Sequence, residues 1–261
     1  MPNVARLSVA AVKSTRLHHP ESIRLERSGA AGNRSFYIAE PDGILFTGSD
    51  FGPLVAVAAE LRPAANGDRE HLALRFPDGT SVEGDPSVLA APLRTSFYGR
   101  PVDAHELDGP WSAALSRYVG RPLVLARPDR SGDANDDFAV SMFSTASAED
   151  LARRSGSAAA LDARRFRMLV EVGGAAPYQE DTWIGRRVRL GEAVVAVESQ
   201  VARCVITTQN PSTGLKDFDT LKAIAAYRGL REGRKIDFGV YAGVVEPGTV
   251  RVGDAVEPAD G

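Results

Sequence analysis

The feature that most constrains this chain is a series of short segments of apolar–polar alternation, separated by turn signals. Ser22 to Arg27 (SIRLER) alternates with the period of two that marks a half-buried strand. Ser35 to Thr47 holds two short runs joined by Pro41-Asp42-Gly43, and His71 to Val82 repeats the device around Pro77-Asp78-Gly79. Pro presets φ for a turn and Gly accepts positive φ, so each triplet predicts a chain reversal. Val4 to Val12 opens the series. The second half returns to it with Arg165 to Val172, with Val188 to Leu190 and Ala193 to Glu198 around Gly191, and with Ala202 to Thr208. The tail from Phe238 adds two more strands about Pro247-Gly248. Strands this short at this spacing predict a barrel or a strongly curved sheet.

Helices are few. Trp111 to Val119 follows Asp108-Gly109-Pro110 and stops at Gly120. Ala148 to Arg154 follows Ser147 as N-cap and ends at Gly156. Thr220 to Arg228 ends at Gly229. The alanine-rich stretch Ser155 to Ala163 reads as a surface connection, and there is no internal repeat. The expected fold class is α+β and β-rich, with a few short helices.

A chain of 261 residues suffices for one large or two small domains with a sizeable core. Its net charge of −3 argues against a general nucleic-acid binder, which needs a basic excess. No segment approaches the roughly 20 apolar residues of a membrane span. The first residues alternate and reach Lys13, so they read as a strand and not as a signal peptide. A cytoplasmic protein with no membrane or nucleic-acid partner is expected. One cysteine rules out an intrachain disulfide and a cluster held by four cysteines of this chain.

Common catalytic signatures are missing. The sequence has no GxGxxG after a strand, no GxxxxGK[ST] loop, no GxSxG elbow and no HExxH. His18 and His19 stand before Pro20 and read as a polar surface loop. The pairs Glu180-Asp181 and Asp217-Asp219, and Asp136-Asp137 in a Gly/Asp-rich loop, read as solvated turns or helix caps. Cys204 lies where VARCVITT runs into the polar turn QNPSTG. Two readings are open for it. Free cysteines are often small buried hydrophobes. Yet Arg203 precedes it, and a cationic neighbour favours the thiolate that metals bind.

Several segments together resemble MOSC domains: Arg165-Phe-Arg167, Tyr178 to Trp183 (YQEDTW), Gly185, Ala202 to Thr208 (ARCVITT), Pro211 to Gly214 (PSTG), Thr220-Leu-Lys222 and Tyr227-Arg228. Val12-Lys13-Ser14, Asn33 to Phe36 (NRSF), Phe238 to Tyr241 (FGVY) and Gly248 to Asp254 extend the resemblance over nearly the whole chain. It resembles in particular the mitochondrial amidoxime-reducing component and its bacterial relatives. That likeness implies an N-terminal β-barrel-like domain over 1–105 packed on a MOSC β-barrel domain over 106–261. It also implies the molybdenum cofactor (Mo-molybdopterin), with Cys204 as metal ligand and catalytic residue. Lys13, Ser14 and Arg34 would hold the cofactor's phosphate. Arg167 and Arg203 would add to that grip or orient the pterin, and Thr207, Thr208 and Tyr241 would line the pocket.

The resemblance further implies an oxidoreductase that reduces small N-hydroxylated compounds. Its electrons would come from an external donor, a ferredoxin-, flavin- or cytochrome-type reductase, since one thiol builds no relay. A cofactor carrier or sulfur-transfer protein is the alternative, followed by a metal-free binding protein on the same fold. The ending at Gly261 and the single cysteine predict no appended ferredoxin-like domain. Met168-Leu169 depart from the Pro-Asn usual after the family's Phe-Arg, which bears on the substrate more than on the cofactor. Thr47 to Asp50 depart from it as well.

Overall fold

A computed structural model describes residues 1–63, 70–156 and 161–259. The expected α+β, β-rich class is the one observed. A seven-stranded sheet runs in the order Asn3–Leu7, Val170–Gly173, Val140–Ser144, Asp237–Glu246, Ala193–Ala202, Arg187–Leu190 and Val256–Ala259. Neighbours are antiparallel except Val140–Ser144 beside Val170–Gly173, which are parallel. The sheet curls until its two edges meet. Val4 N–H donates to Asp254 O at 2.8 Å and Val256 N–H donates to Pro2 O at 3.0 Å. Closure satisfies backbone groups that an open edge would leave unpaired. Inside lies an aliphatic core in which Leu7, Val170, Val188, Val195 and Val240 are fully enclosed.

A second, five-stranded antiparallel sheet has the order Leu45–Phe46, Tyr37–Ala39, Val124–Pro128, Arg100–Leu107 and Val88–Phe97. It also bends back on itself, since Ser96 N–H donates to Gly43 O at 2.8 Å. Gly43 is the glycine of the Pro41-Asp42-Gly43 turn. The second such turn joins Glu70–Arg75 to Ser81–Gly84, as the sequence predicts. Ala58–Pro63 completes that small sheet, and Gly248–Arg251, Ser22–Glu26 and Gly29–Ala30 form another. Chain order is interleaved: the strand at Asn3 joins the late sheet, and the strand at Ser22 pairs with the one at Gly248.

Helix α1 (Trp111–Val119) ends at Gly120 in the left-handed region, as expected, and inserts Trp111 against the small sheet. Helix α2 (Thr145–Arg154) starts earlier than its predicted Ala148. Ser144, not Ser147, is the cap and accepts from Ala146 N–H. Ser147 instead lies inside the helix and donates to Glu180 Oε1 at 2.8 Å. Glu180 is fully buried and so is no solvated turn residue. Helix α3 (Thr220–Arg228) is capped by Asp219. The predicted surface connection Ser155 to Ala163 lies partly outside the described residues, at 157–160.

Of the expected strands, Arg165 to Val172 is shorter and Ala202 to Thr208 does not form. Arg165 belongs to a 3-10 turn, Ala163–Phe166, and the strand begins only at Val170. Likewise the strand through Val201 stops at Ala202, and Val205–Thr208 forms another 3-10 turn. β-branched residues favour a strand only where partners are available. Here Thr207 and Thr208 turn their hydroxyls back onto Cys204 O and Val205 O.

The turn after Thr208 is pinned to the first half of the chain. Gln209 Nε2 donates to Gly48 O at 2.8 Å. Gly214, at φ +74°, lies so close to Gly52 that a Cβ on it would stand 2.0 Å from the Gly52 carbonyl. Gly214→Ala is therefore expected to cost about 2 kcal/mol, from backbone strain and the clash. The check is a lower denaturant midpoint with an unchanged slope. A midpoint equal to that of the parent protein would show that these two backbones part freely.

Candidate functional site

Where the two curled sheets meet, a cavity of about 330 Å³ opens to the surface, within the size range of small-molecule sites. The turn after Val12 delivers Lys13 and Ser14, the turn before Phe36 delivers Arg34, and the 3-10 turn at Phe166 ends on Arg167. The end of the long strand Ala193–Ala202 brings Arg203 and Cys204, and the neighbouring strand Asp237–Glu246 brings Tyr241. These seven predicted residues thus share one cavity. Thr207 and Thr208 do not line it. They are buried behind it, with their hydroxyls spent on the turn that carries Cys204.

The backbone at the site is unusual. Among the described residues six non-glycine positions have positive φ, and four of them line this cavity: Ser14 (73°), Arg34 (50°), Tyr98 (54°) and Arg167 (52°). Such conformations are uncommon and cost of order 1–3 kcal/mol each. Their concentration here points to a surface whose side chains must aim at one point.

Asp136 is the residue that the sequence misplaces. Instead of a solvated loop carboxylate, it is an ion-pair partner of both Lys13 (Nζ to Oδ1, 2.5 Å) and Arg34 (Nη1 to Oδ2, 2.6 Å). Burial works against its charge, but Arg34 and Lys13 prevail and hold its carboxyl far below the usual range. Lys13 is itself 6% exposed. Burial, and then Arg34, lower its pKa to about 8, with Asp136 restraining the fall. Arg167 is lowered to about 10 by burial and by Arg34. For Arg34 burial acts downward, yet Asp136 turns the net shift upward.

Arg203 is half-buried, donates to Phe166 O at 2.5 Å and to Met168 Sδ at 3.2 Å, and has its pKa lowered by desolvation. Its Nε is buried with no partner. Met168 and Leu169 line the cavity as well, so the departure noted in the sequence faces the site. Four cations therefore share the cavity with Asp136 and Asp137, a balance that favours an anionic ligand.

Cys204 is exposed, which removes the reading as a buried core thiol. It occupies the N-cap position of the 3-10 turn, but its side chain caps nothing. The sulfur is thus available at the mouth, while the cations sit deeper. His18 and His19 lie elsewhere and bond to Ala59 O and Leu7 O. No group of three or more His, Cys, Asp or Glu that could hold a metal occurs among the described residues. No helix among them is long and apolar enough to cross a membrane.

Residues 129–257 match the MOSC domain family model. Over these residues the chain carries a MOSC domain. Mitochondrial amidoxime-reducing component 1 of Mus musculus is 33% identical over 122 residues, which are 44% of this chain and 35% of that protein. Mitochondrial amidoxime reducing component 2 of Homo sapiens is 37% identical over 101 residues, 35% of this chain and 29% of its own length. Molybdenum cofactor sulfurase of Oryza sativa subsp. japonica is 27% identical over 173 residues, 55% of this chain and 20% of that protein. The matches span about a third or less of these curated relatives. The MOSC match contains Asp136, Arg167, Arg203, Cys204 and Tyr241, whereas Lys13, Ser14 and Arg34 come from outside it.

The Lys13 shift has a measurable consequence. An anion held beside Lys13 stabilises its charged form and raises its pKa above about 8. Between the free and bound values, binding must take up a proton. Sulfate, which does not titrate in this range, is expected to bind at pH 8 with proton uptake. Calorimetry in buffers of different ionisation heat reads that uptake, and Lys13→Met should abolish it. A heat independent of buffer in the parent protein would contradict the assignment.

Proposed function

We propose that this MOSC-domain protein binds the molybdenum cofactor in the cavity and uses it to reduce N-hydroxylated compounds, with electrons from a separate donor. The observation that carries the reading is the pairing of an exposed, uncommitted thiol at the mouth with a deep cluster of cations. The donor set suits the group. Lys13, Ser14 and Arg34 match a phosphate in charge and hydrogen-bonding capacity. Arg167 and the unpartnered Nε of Arg203 leave donors for the pterin's polar edge. Cys204 offers the soft thiolate that a dithiolene-bound metal accepts.

When bound, the metal supplies the two-electron couple. The net reaction breaks the N–O bond of the substrate. Two electrons and two protons convert the N-hydroxyl compound to its N–H form and water. The chain's own part is placement. Lys13, Arg34 and Arg167 anchor the anionic end. The pinned turn after Cys204 fixes the height of the thiol at the mouth. Tyr241, whose phenol pKa is raised by burial and by Asp136, stays protonated and can donate a hydrogen bond. The electron donor is a separate protein of ferredoxin, flavin or cytochrome type.

The exposure of Cys204 also favours a second reading, in which the protein carries the cofactor or passes sulfur to another enzyme. The two separate cleanly. Protein made in a cofactor-competent host and supplied with reduced viologen should turn over benzamidoxime if it is the reductase. Molybdenum retained without turnover would favour the carrier. Cys204→Ser is expected to abolish turnover and to lower bound molybdenum at least tenfold. Its melting temperature should barely move, because an exposed side chain contributes within about 0.5 kcal/mol of stability. Full reductase activity in that variant would sink the reading.

A further inference from the structure

The cavity mouth carries one feature that the cofactor grip leaves unused. The strands Val88–Phe97 and Arg100–Leu107 form a hairpin whose tip is Tyr98-Gly99. That tip is built into the site from three sides. The Lys13 ammonium lies 5.2 Å from the centre of the Phe97 ring and 5.5 Å from that of Tyr98. Arg100 stacks on the other side of the tip at 4.9 Å from the Phe97 ring. It donates to Asn135 O at 2.7 Å and to Asp136 O at 3.3 Å, and so ties the loop that bears Asp136.

Within this frame Tyr98 is the exception. Phe97 is fully buried, but Tyr98 is 66% exposed and held at φ +54°. A bulky side chain in that conformation is a backbone cost with no burial to offset it. The inner face of its ring meets Lys13, and Phe97 stands nearly perpendicular to it at 83°. Tyr98 and the exposed Cys204 both line the cavity. Its hydroxyl has no hydrogen-bond partner among the described residues. Although most of the residue is exposed, its phenol pKa is raised by burial, then by Asp136 and Cys204, which places the oxygen at the charged rim.

We propose that Tyr98 is a substrate-positioning platform. A flat, conjugated N-hydroxyl compound stacks on its outer face, which sets the N–O group towards Cys204 and selects such substrates over small aliphatic or unsubstituted hydroxylamines. The reasoning rests on the reading of the cavity as the site of N-hydroxyl reduction. Stacking suits this position because an aromatic ring offers area at low conformational cost, and the Lys13 cation behind it fixes the ring in place. Gly or Asn at this φ would relieve strain but present no surface to a planar ligand.

The test uses Tyr98→Asn, which removes the ring while tolerating positive φ, and Tyr98→Trp, which keeps a platform. For cofactor-loaded protein with reduced viologen, the ratio of kcat/KM for benzamidoxime to that for hydroxylamine should fall about tenfold in Tyr98→Asn and be kept in Tyr98→Trp. The change should fall mainly on KM. Benzamidoxime binding, followed by saturation-transfer NMR on the unreduced protein, should weaken in parallel. An unchanged ratio in Tyr98→Asn, with turnover intact, overturns the platform and leaves the reductase reading standing. Tyr98-dependent binding without turnover in the parent protein supports the platform and overturns the reductase reading. Absence of benzamidoxime binding to the parent protein at millimolar concentration overturns the platform.

Discussion

The whole site hangs on the carboxylate of Asp136. It meets Lys13 across 123 residues of sequence and Arg34 across 102. Without it, a nearly enclosed ammonium and two half-buried guanidiniums would face each other, and an uncompensated buried charge is strongly destabilising. With it, the first strand turn, the turn before Phe36 and the loop at Asn135 become one unit. Arg100 then secures the carboxylate's own loop through its carbonyls. The pairing does not neutralise the cavity, because Arg167 spends its charge only on the Thr15 carbonyl. A protein that merely needed a stable interior would fill this space with apolar side chains. This one keeps a surplus of positive charge there, which suits an anionic ligand.

Strain and support are distributed in the same way. The cavity collects most of the left-handed non-glycine residues, while the layer behind it is rigid. Phe166, next to Arg167, stacks on Phe238 at 4.2 Å, and Phe143 packs against both. The two curled sheets leave few free edges to relax into. Strained positions persist where the surroundings over-determine them, and that condition is met on the wall that carries Arg167 and Arg203.

Much of this was legible in the chain, and the divide between legible and illegible is physical. The Pro-Asp-Gly turns, the alternation in SIRLER and the glycine stops at Gly120 and Gly229 are local, and the structure keeps them. Lys13, Ser14, Arg34, Arg167, Arg203, Cys204 and Tyr241 were readable through a family pattern and converge on one cavity. Asp136 was not readable, because a solvated loop aspartate and a half-buried ion-pair hub look alike until the partners are known. Ser147 and Glu180 were misassigned for the same reason: their hydrogen bond is tertiary. Thr207 and Thr208 illustrate the reverse error. Their β-branched character suggested a strand and their hydroxyls a binding role, yet the local carbonyls claimed both hydroxyls first. Tyr98 carried no signal, since nothing in the sequence shows that the residue before Gly99 takes a left-handed conformation.

The depth profile of the site finally constrains how a reaction there would run. Lys13 lies inside, whereas Cys204, Tyr98 and Val205 face solvent. A ligand with an anionic tail enters tail first, for the reverse orientation would hold the tail away from Lys13 and Arg167. Its reacting end then lies at the mouth, on the solvent side of the thiol. Under the proposed function, substrate and electron donor must therefore use the same face, and they must do so in turn. A platform at Tyr98 adds to this ordering. It occupies the rim where a donor protein would press, so a stacked planar substrate and a docked donor compete for the same few ångströms of surface.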